Sequence, residues 1–92
     1  MPEMRFTIRW PDGQEESCYS PSSVVTEFLS ADTTYALSDF VIRSRLALDK
    51  ASGRVAAKYG YRCSRAEAQL DRIEAQAKQF EDTAPVQCLR IG

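Results

Sequence analysis

Residues 4–13, Met4-Arg5-Phe6-Thr7-Ile8-Arg9-Trp10-Pro11-Asp12-Gly13, decide how the rest of the chain is read. Met4, Phe6, Ile8 and Trp10 alternate with Arg5, Thr7 and Arg9. A period of two is that of a β-strand with one buried face. Pro11-Asp12-Gly13 then carries turn chemistry, since proline fixes φ and glycine is free to take positive φ. Glu15 to Tyr19 returns as a second strand, and the two form an N-terminal hairpin.

Beyond the hairpin the chain reads as helical. Ser20 is placed to cap a helix with Pro21 at its first position, where the missing N–H costs nothing; this helix carries Val24, Val25, Phe28 and Leu29. A polar connection, residues 30–35, leads to a second start at Ser38, with Leu37 and Ile42 spaced as a hydrophobic staple. From Asp39 the pattern is helical to about Tyr59, with Val41, Leu48 and Val55 on one stripe. Gly53 weakens that span by about 1 kcal/mol relative to alanine, so a break there is the alternative. Gly60 stands where a left-handed terminator belongs. Ser64 and Glu67 have capping-box spacing. Behind them Ala66, Leu70, Ile73, Ala77 and Phe80 form an apolar seam that suits its own sheet or a partner equally. Residues 86–91 are apolar enough for a last strand. The expected fold is α+β in the order β-β-α-α-α-β, with a three-stranded, mainly antiparallel sheet covered on one face by helices.

Ninety-two residues make a single domain, 1–92, with a modest core. Apolar runs of two or three residues exclude a transmembrane helix, and residues 1–5 lack the layout of a signal peptide. A cytoplasmic protein is expected. There is no histidine, which removes Ser-His-Asp and Cys-His catalysis and histidine-ligated metals. Cys18, Cys63 and Cys88 are dispersed, odd in number and without a C-x-x-C pair, which suits a reducing compartment. No metal site, cofactor or phosphate-binding glycine loop is expected.

Charge is uneven. Residues 41–65 hold seven basic side chains against Asp49 alone, although the chain as a whole carries a formal −1. On a helical wheel Arg43, Lys50 and Arg54 share a narrow arc with Lys58 beside it, and Arg62 follows in the next connection. Such a stripe can bind an anionic ligand or an acidic partner; the preferred reading is a solvated flank whose stems cover the core edge, because the total charge is near zero. Nucleic acid is not an expected partner, because the total charge is near zero. Cys63 precedes a helix N-terminus and has Arg62 and Arg65 as neighbours, both of which favour a thiolate, so it is the candidate reactive thiol. No general base stands beside it in the sequence, and a buried packing role is the preferred reading. Paired carboxylates such as Glu15-Glu16 and Glu81-Asp82 fall in turns or at fraying ends and read as solvation.

Several strings together resemble one small bacterial family: Met4-Arg5-Phe6 leading to Trp10-Pro11-Asp12-Gly13, then Cys18-Tyr19-Ser20-Pro21-Ser22, and later Lys58-Tyr59-Gly60 with Cys63-Ser64. The resemblance is to the nitrogen starvation response protein family, defined in mycobacteria and found also in proteobacteria and cyanobacteria. It implies a gene cluster containing a nitrilase-type carbon-nitrogen hydrolase. The neighbours implied there are a radical SAM protein, an acetyltransferase-like protein, a relative of aminoimidazole ribonucleotide synthetase and a flavin-dependent oxidoreductase. It implies no catalytic residue for this chain. The function expected from residues and resemblance together is a non-catalytic accessory protein serving an enzyme of that cluster, with a homodimer as a further possible assembly. An anion-binding or regulatory protein using the basic stripe is the alternative, and a small enzyme using Cys63 ranks third.

Overall fold

In the computed structural model, which describes residues 3–60 and 64–92, the alternating segment becomes an inner strand of an antiparallel sheet. β1 (Met4–Arg9) buries Phe6 and Ile8 completely and leaves Arg5 and Arg9 exposed. The turn that follows is closed from three directions. Gly13 N donates to Trp10 O at 2.9 Å, Trp10 N donates to Gln14 O at 2.8 Å, and Asp12 Oδ1 accepts from Gln14 N at 3.0 Å. Gly13 has φ +90°, a conformation that favours glycine. β2 (Glu15–Ser20) then returns with Cys18 opposite Phe6.

The expected three-stranded sheet is a four-stranded one. Its order is β2-β1-β4-β3, with every pair antiparallel. The added strand is β3 (Thr33–Ala36), inside the segment read as a polar connection. Thr33, Thr34 and Tyr35 are good strand formers, but four residues are too few to display a period of two. The left-handed Asp32 (φ +56°) turns the chain into β3, and Tyr35 Oη accepts from Ser30 N at 2.9 Å. β4 (Pro85–Ile91) buries Val86 and Cys88 and pairs with β1 across a register shift at Thr7/Ile8.

The expected three helices are two α-helices and one short 3-10 helix. The segment after β2 forms only Ser23–Glu27 as 3-10. Val24, Val25 and Thr26 are β-branched and lose χ1 freedom in a helix, which disfavours a longer one. The cap is Ser22, whose hydroxyl accepts from Val24 N at 3.3 Å; Ser20 belongs to β2 and its hydroxyl donates to Ser22 O at 2.8 Å. α1 (Leu37–Tyr59) runs unbroken through Gly53 for 23 residues, about 34 Å at 1.5 Å per residue. It ends at left-handed Gly60, whose N–H donates to Ala56 O at 2.8 Å.

The expected cap and staple at the start of α1 are replaced by backbone contacts. Leu37 N donates to Ala84 O at 2.9 Å and Ser38 N donates to Asp82 O at 3.0 Å, so the loop before β4 satisfies the first free donors of the helix. Leu37 is buried while Ile42 is exposed, so the two do not staple. α2 (Ser64–Ala77) buries Ala66, Ile73 and Ala77. The core joins the sheet to α1 through Trp10, which meets Phe40 edge-on at 5.8 Å and stacks on Phe80 at 6.0 Å. Trp10 Nε1 donates to Glu16 Oε1 at 3.1 Å, so the buried indole keeps its polar handle satisfied. Among the described residues no helix is long and apolar enough to cross a membrane.

Candidate functional site

The basic stripe of α1 lies where the helical wheel places it, but its cations are occupied. Arg43 donates from Nε to Asp39 Oδ2 and from Nη1 to Phe28 O, both at 2.9 Å, and its guanidinium lies 5.0 Å from the Tyr35 ring centroid. Lys50 Nζ pairs with Glu27 Oε1 at 3.0 Å and stands 5.9 Å over the Phe28 ring. Arg54 Nη2 approaches the other oxygen of Glu27 at 3.9 Å. Glu27 closes the 3-10 helix, so these contacts fasten that helix and its exit to α1. Each ion pair is roughly half exposed and worth about 0–1 kcal/mol. Lys58 is exposed on the last turn of α1. Arg62 and Cys63 lie outside the described residues.

The other two cysteines are packing residues. Burial, reinforced by Glu16, pushes the Cys18 thiol up to about 12. Burial, with a smaller effect of Asp32, raises that of Cys88 as well. Both thiols therefore stay protonated and poorly nucleophilic at neutral pH. Among the described residues no cluster of cysteines and carboxylates could hold a metal ion.

What α1 leaves open is its outer face against α2. Arg45 Nε reaches Glu74 Oε1 at 3.5 Å and bridges the two helices. On one side of the bridge is a groove of about 490 Å³ walled by Leu46, Leu48, Ser52, Ala66 and Leu70. On the other is a groove of about 430 Å³ walled by Leu37, Val41, Ile42, Ala77 and Phe80. Ile42 and Leu46 stand four residues apart and so share a helix face. They are 53% and 51% exposed, the large apolar side chains that the fold leaves uncovered among the described residues. Arg45 lines both grooves, which makes the face continuous across the bridge.

A family model described as nitrogen starvation-induced protein NitG matches residues 5–91. The chain belongs to the NitG family. The match runs from β1 to the end of β4, so the family relation covers the whole sheet and both helices. No curated protein and no solved structure gives a match. Membership in the NitG family agrees with the resemblance carried by the hairpin and β2 strings.

Sequence reasoning assigned Ile42 to a staple and did not single out Leu46. The available signal was the breadth of the apolar arc on α1. Val41, Ile42, Leu46 and Leu48 span more of the helix circumference than one core stripe requires.

Proposed function

We propose that this member of the nitrogen starvation-induced family is a non-catalytic accessory module. In this reading it works in the cytoplasm and docks onto an enzyme of the nitrilase-containing gene cluster through the outer face of α1 and α2. The observation that carries the reading is the half-exposed pair Ile42 and Leu46, one walling each of the two grooves that meet at the Arg45–Glu74 bridge. Covering what remains exposed of both side chains contributes about 2 kcal/mol by area alone. Grooves along a helix pair, edged by protruding apolar side chains, are the relief into which another helix packs, with its own apolar residues at i, i+3 and i+4. The occupant is accordingly an amphipathic helix of the partner, with charged residues placed to meet Arg45 and Glu74.

The non-catalytic part of the reading is supported by the lack of histidine in the chain and by the protonated state of Cys18 and Cys88. The anion-binding alternative on the α1 stripe has no such support, because Arg43, Lys50 and Arg54 already hold acceptors of this chain.

The test is co-expression with each enzyme of the cluster, followed by size-exclusion chromatography with light scattering. The expected result is a complex whose mass equals the sum of both chains and which dissociates when Ile42→Asp and Leu46→Asp are combined. A complex that survives the double substitution contradicts the assigned face. A homodimer through the same ridge, indifferent to every enzyme, replaces the accessory role with self-association.

A further inference from the structure

A second basic region lies where β2 meets α2, and its chemistry is unlike that of the α1 stripe. Arg5 of β1 sits opposite Tyr19 of β2 in the sheet register. Together with Arg65, Ala68, Gln69 and Arg72 of α2 they line an open depression of about 340 Å³. It shares no lining residue with either groove on the α1–α2 face. Among the described residues no carboxylate lines it.

The three guanidiniums differ in how firmly they are held. Arg72 Nε donates to Glu16 Oε2 at 2.7 Å, and Glu16, only 15% exposed, is also held by Trp10 Nε1. That bond positions Arg72 through one of its five N–H donors and leaves the fork of its two terminal nitrogens for other acceptors. Arg65 lies flat on Tyr19, 4.0 Å from the ring centroid. Its ion pair with Glu3 is long, at 3.5 Å, and 62% exposed on both sides, so a competing anion displaces that carboxylate at little cost. Arg5 is exposed, and its side chain has no hydrogen-bond or ion-pair partner among the described residues.

Gln69 supplies an independent observation. Its Oε1 accepts from Tyr19 N at 2.9 Å, covering an outward N–H of the edge strand β2. That bond settles which end of the amide is which, since a flipped amide would set donor against donor. Nε2 is then left buried without an acceptor. Buried donors are almost always satisfied, and an orphan points to something that the chain itself does not supply.

The geometry points to an oxyanion site in this depression for a phosphate group, borne by inorganic phosphate or a small phosphate ester. Its donors come from Arg5, Arg65 and Arg72, with the orphaned amide of Gln69 buried in the lining beside them. A planar carboxylate is satisfied by one guanidinium fork, whereas three guanidiniums around one depression suit the several free oxygens of a phosphate. The site stands apart from the docking face and does not depend on it.

The test is a titration of the purified chain with sodium phosphate, and separately with glycerol phosphate, against sodium chloride at equal ionic strength. It is followed by thermal unfolding and by the side-chain amide resonances of Gln69 in a proton–nitrogen correlation spectrum. The expected result is a saturable rise in Tm with a shift of the Gln69 Nε2 signals, weakened at least tenfold in Arg5→Gln and in Arg65→Gln. Arg5 is exposed, so its variant keeps the fold and isolates binding. Gln69→Glu retains an acceptor for Tyr19 N, replaces the donor by a negative charge, and is expected to abolish the saturable rise in Tm. Saturation by phosphate alone assigns free phosphate, and tighter saturation by the ester assigns an esterified ligand. A response no larger than that to chloride, or one unchanged in Arg5→Gln and Arg65→Gln, overturns the site.

Discussion

Two flanks of α1 face outward, and the rest of the chain treats them differently. The basic flank, Arg43, Lys50 and Arg54, has the pattern of a binding stripe, yet Asp39, Glu27 and the Phe28 carbonyl take up its donors. The apolar ridge, Ile42 and Leu46, carries no binding pattern in the sequence and is left half exposed beside two grooves. The difference teaches that a run of like charge on a helix marks a site only where nothing in the chain answers it. Glu27 answers Lys50 from 23 positions away, a distance at which no helical wheel shows the pairing. An exposed apolar ridge has no such internal answer, and in a small domain it is the feature that calls for a partner.

The comparison can be broken most sharply at the ridge. Ile42→Asp combined with Leu46→Asp is expected to weaken partner binding at least a hundredfold, about 2.7 kcal/mol, in a titration followed by light scattering. The stability of the isolated chain in urea should fall by no more than about 2–3 kcal/mol, the covered halves of the two side chains plus helix propensity. A larger loss of stability would return the ridge to the core.

On the basic flank the signs are opposite. Arg43→Met keeps most of the apolar stem but loses two hydrogen bonds and a ring contact, and is expected to cost about 1–2 kcal/mol in urea denaturation without touching partner binding. A stable Arg43→Met protein with impaired binding would move function back to the stripe.

A buried reference on the sheet separates core effects from surface ones. The Cys18 thiol titrates near 12 in the folded chain against an ordinary 9.0. The unfolded chain therefore loses this proton first as pH rises above about 9, and this group's contribution to stability falls by about 1 kcal/mol per pH unit until the folded thiol also ionises. Below pH 9 both states hold the proton and the contribution is flat. Cys18→Ala is expected to remove that part of the alkaline slope, read as urea midpoints at pH 8, 9 and 10.

Smaller still is the effect at Gly53, where an added Cβ meets no atom within 4 Å. Gly53→Ala should raise stability by about 0.5–1 kcal/mol, because the unfolded chain loses freedom that the helix never had. The smallest effect belongs to Lys50→Gln, expected within about 0.5 kcal/mol in the same assay, since its pair with Glu27 is solvated.

Much of the fold was legible where local chemistry is self-sufficient. The alternation of Phe6 and Ile8, the Pro11-Asp12-Gly13 turn, the left-handed Gly60 and the seam through Ala66 and Ile73 each carry their own signal over one short window. β3 was hidden because Thr33 and Tyr35 become a strand only by pairing with Cys88 and Val86, more than fifty residues on. The 3-10 helix was hidden because the apolar residues Val24, Val25 and Leu29 fit an α-helix in spacing but not in β-branching. The start of α1 was misread for a similar reason. Its donors are met by the backbone of residues 82 and 84, and backbone acceptors leave no residue-type signature. The candidate face depends on all of these. Which apolar residues of α1 turn outward follows from where the four-stranded sheet places the helix, so Ile42 and Leu46 could not be sorted from Leu37 and Leu48 by sequence spacing alone.

The most direct measurement is amide hydrogen exchange of this chain, alone and with the proposed partner enzyme. The account predicts new protection in peptides covering residues 38–49 and 66–80, with β2 and the 3-10 helix unchanged. Protection centred on residues 50–58 and Ser23–Glu27, with residues 38–49 exchanging as before, would contradict it.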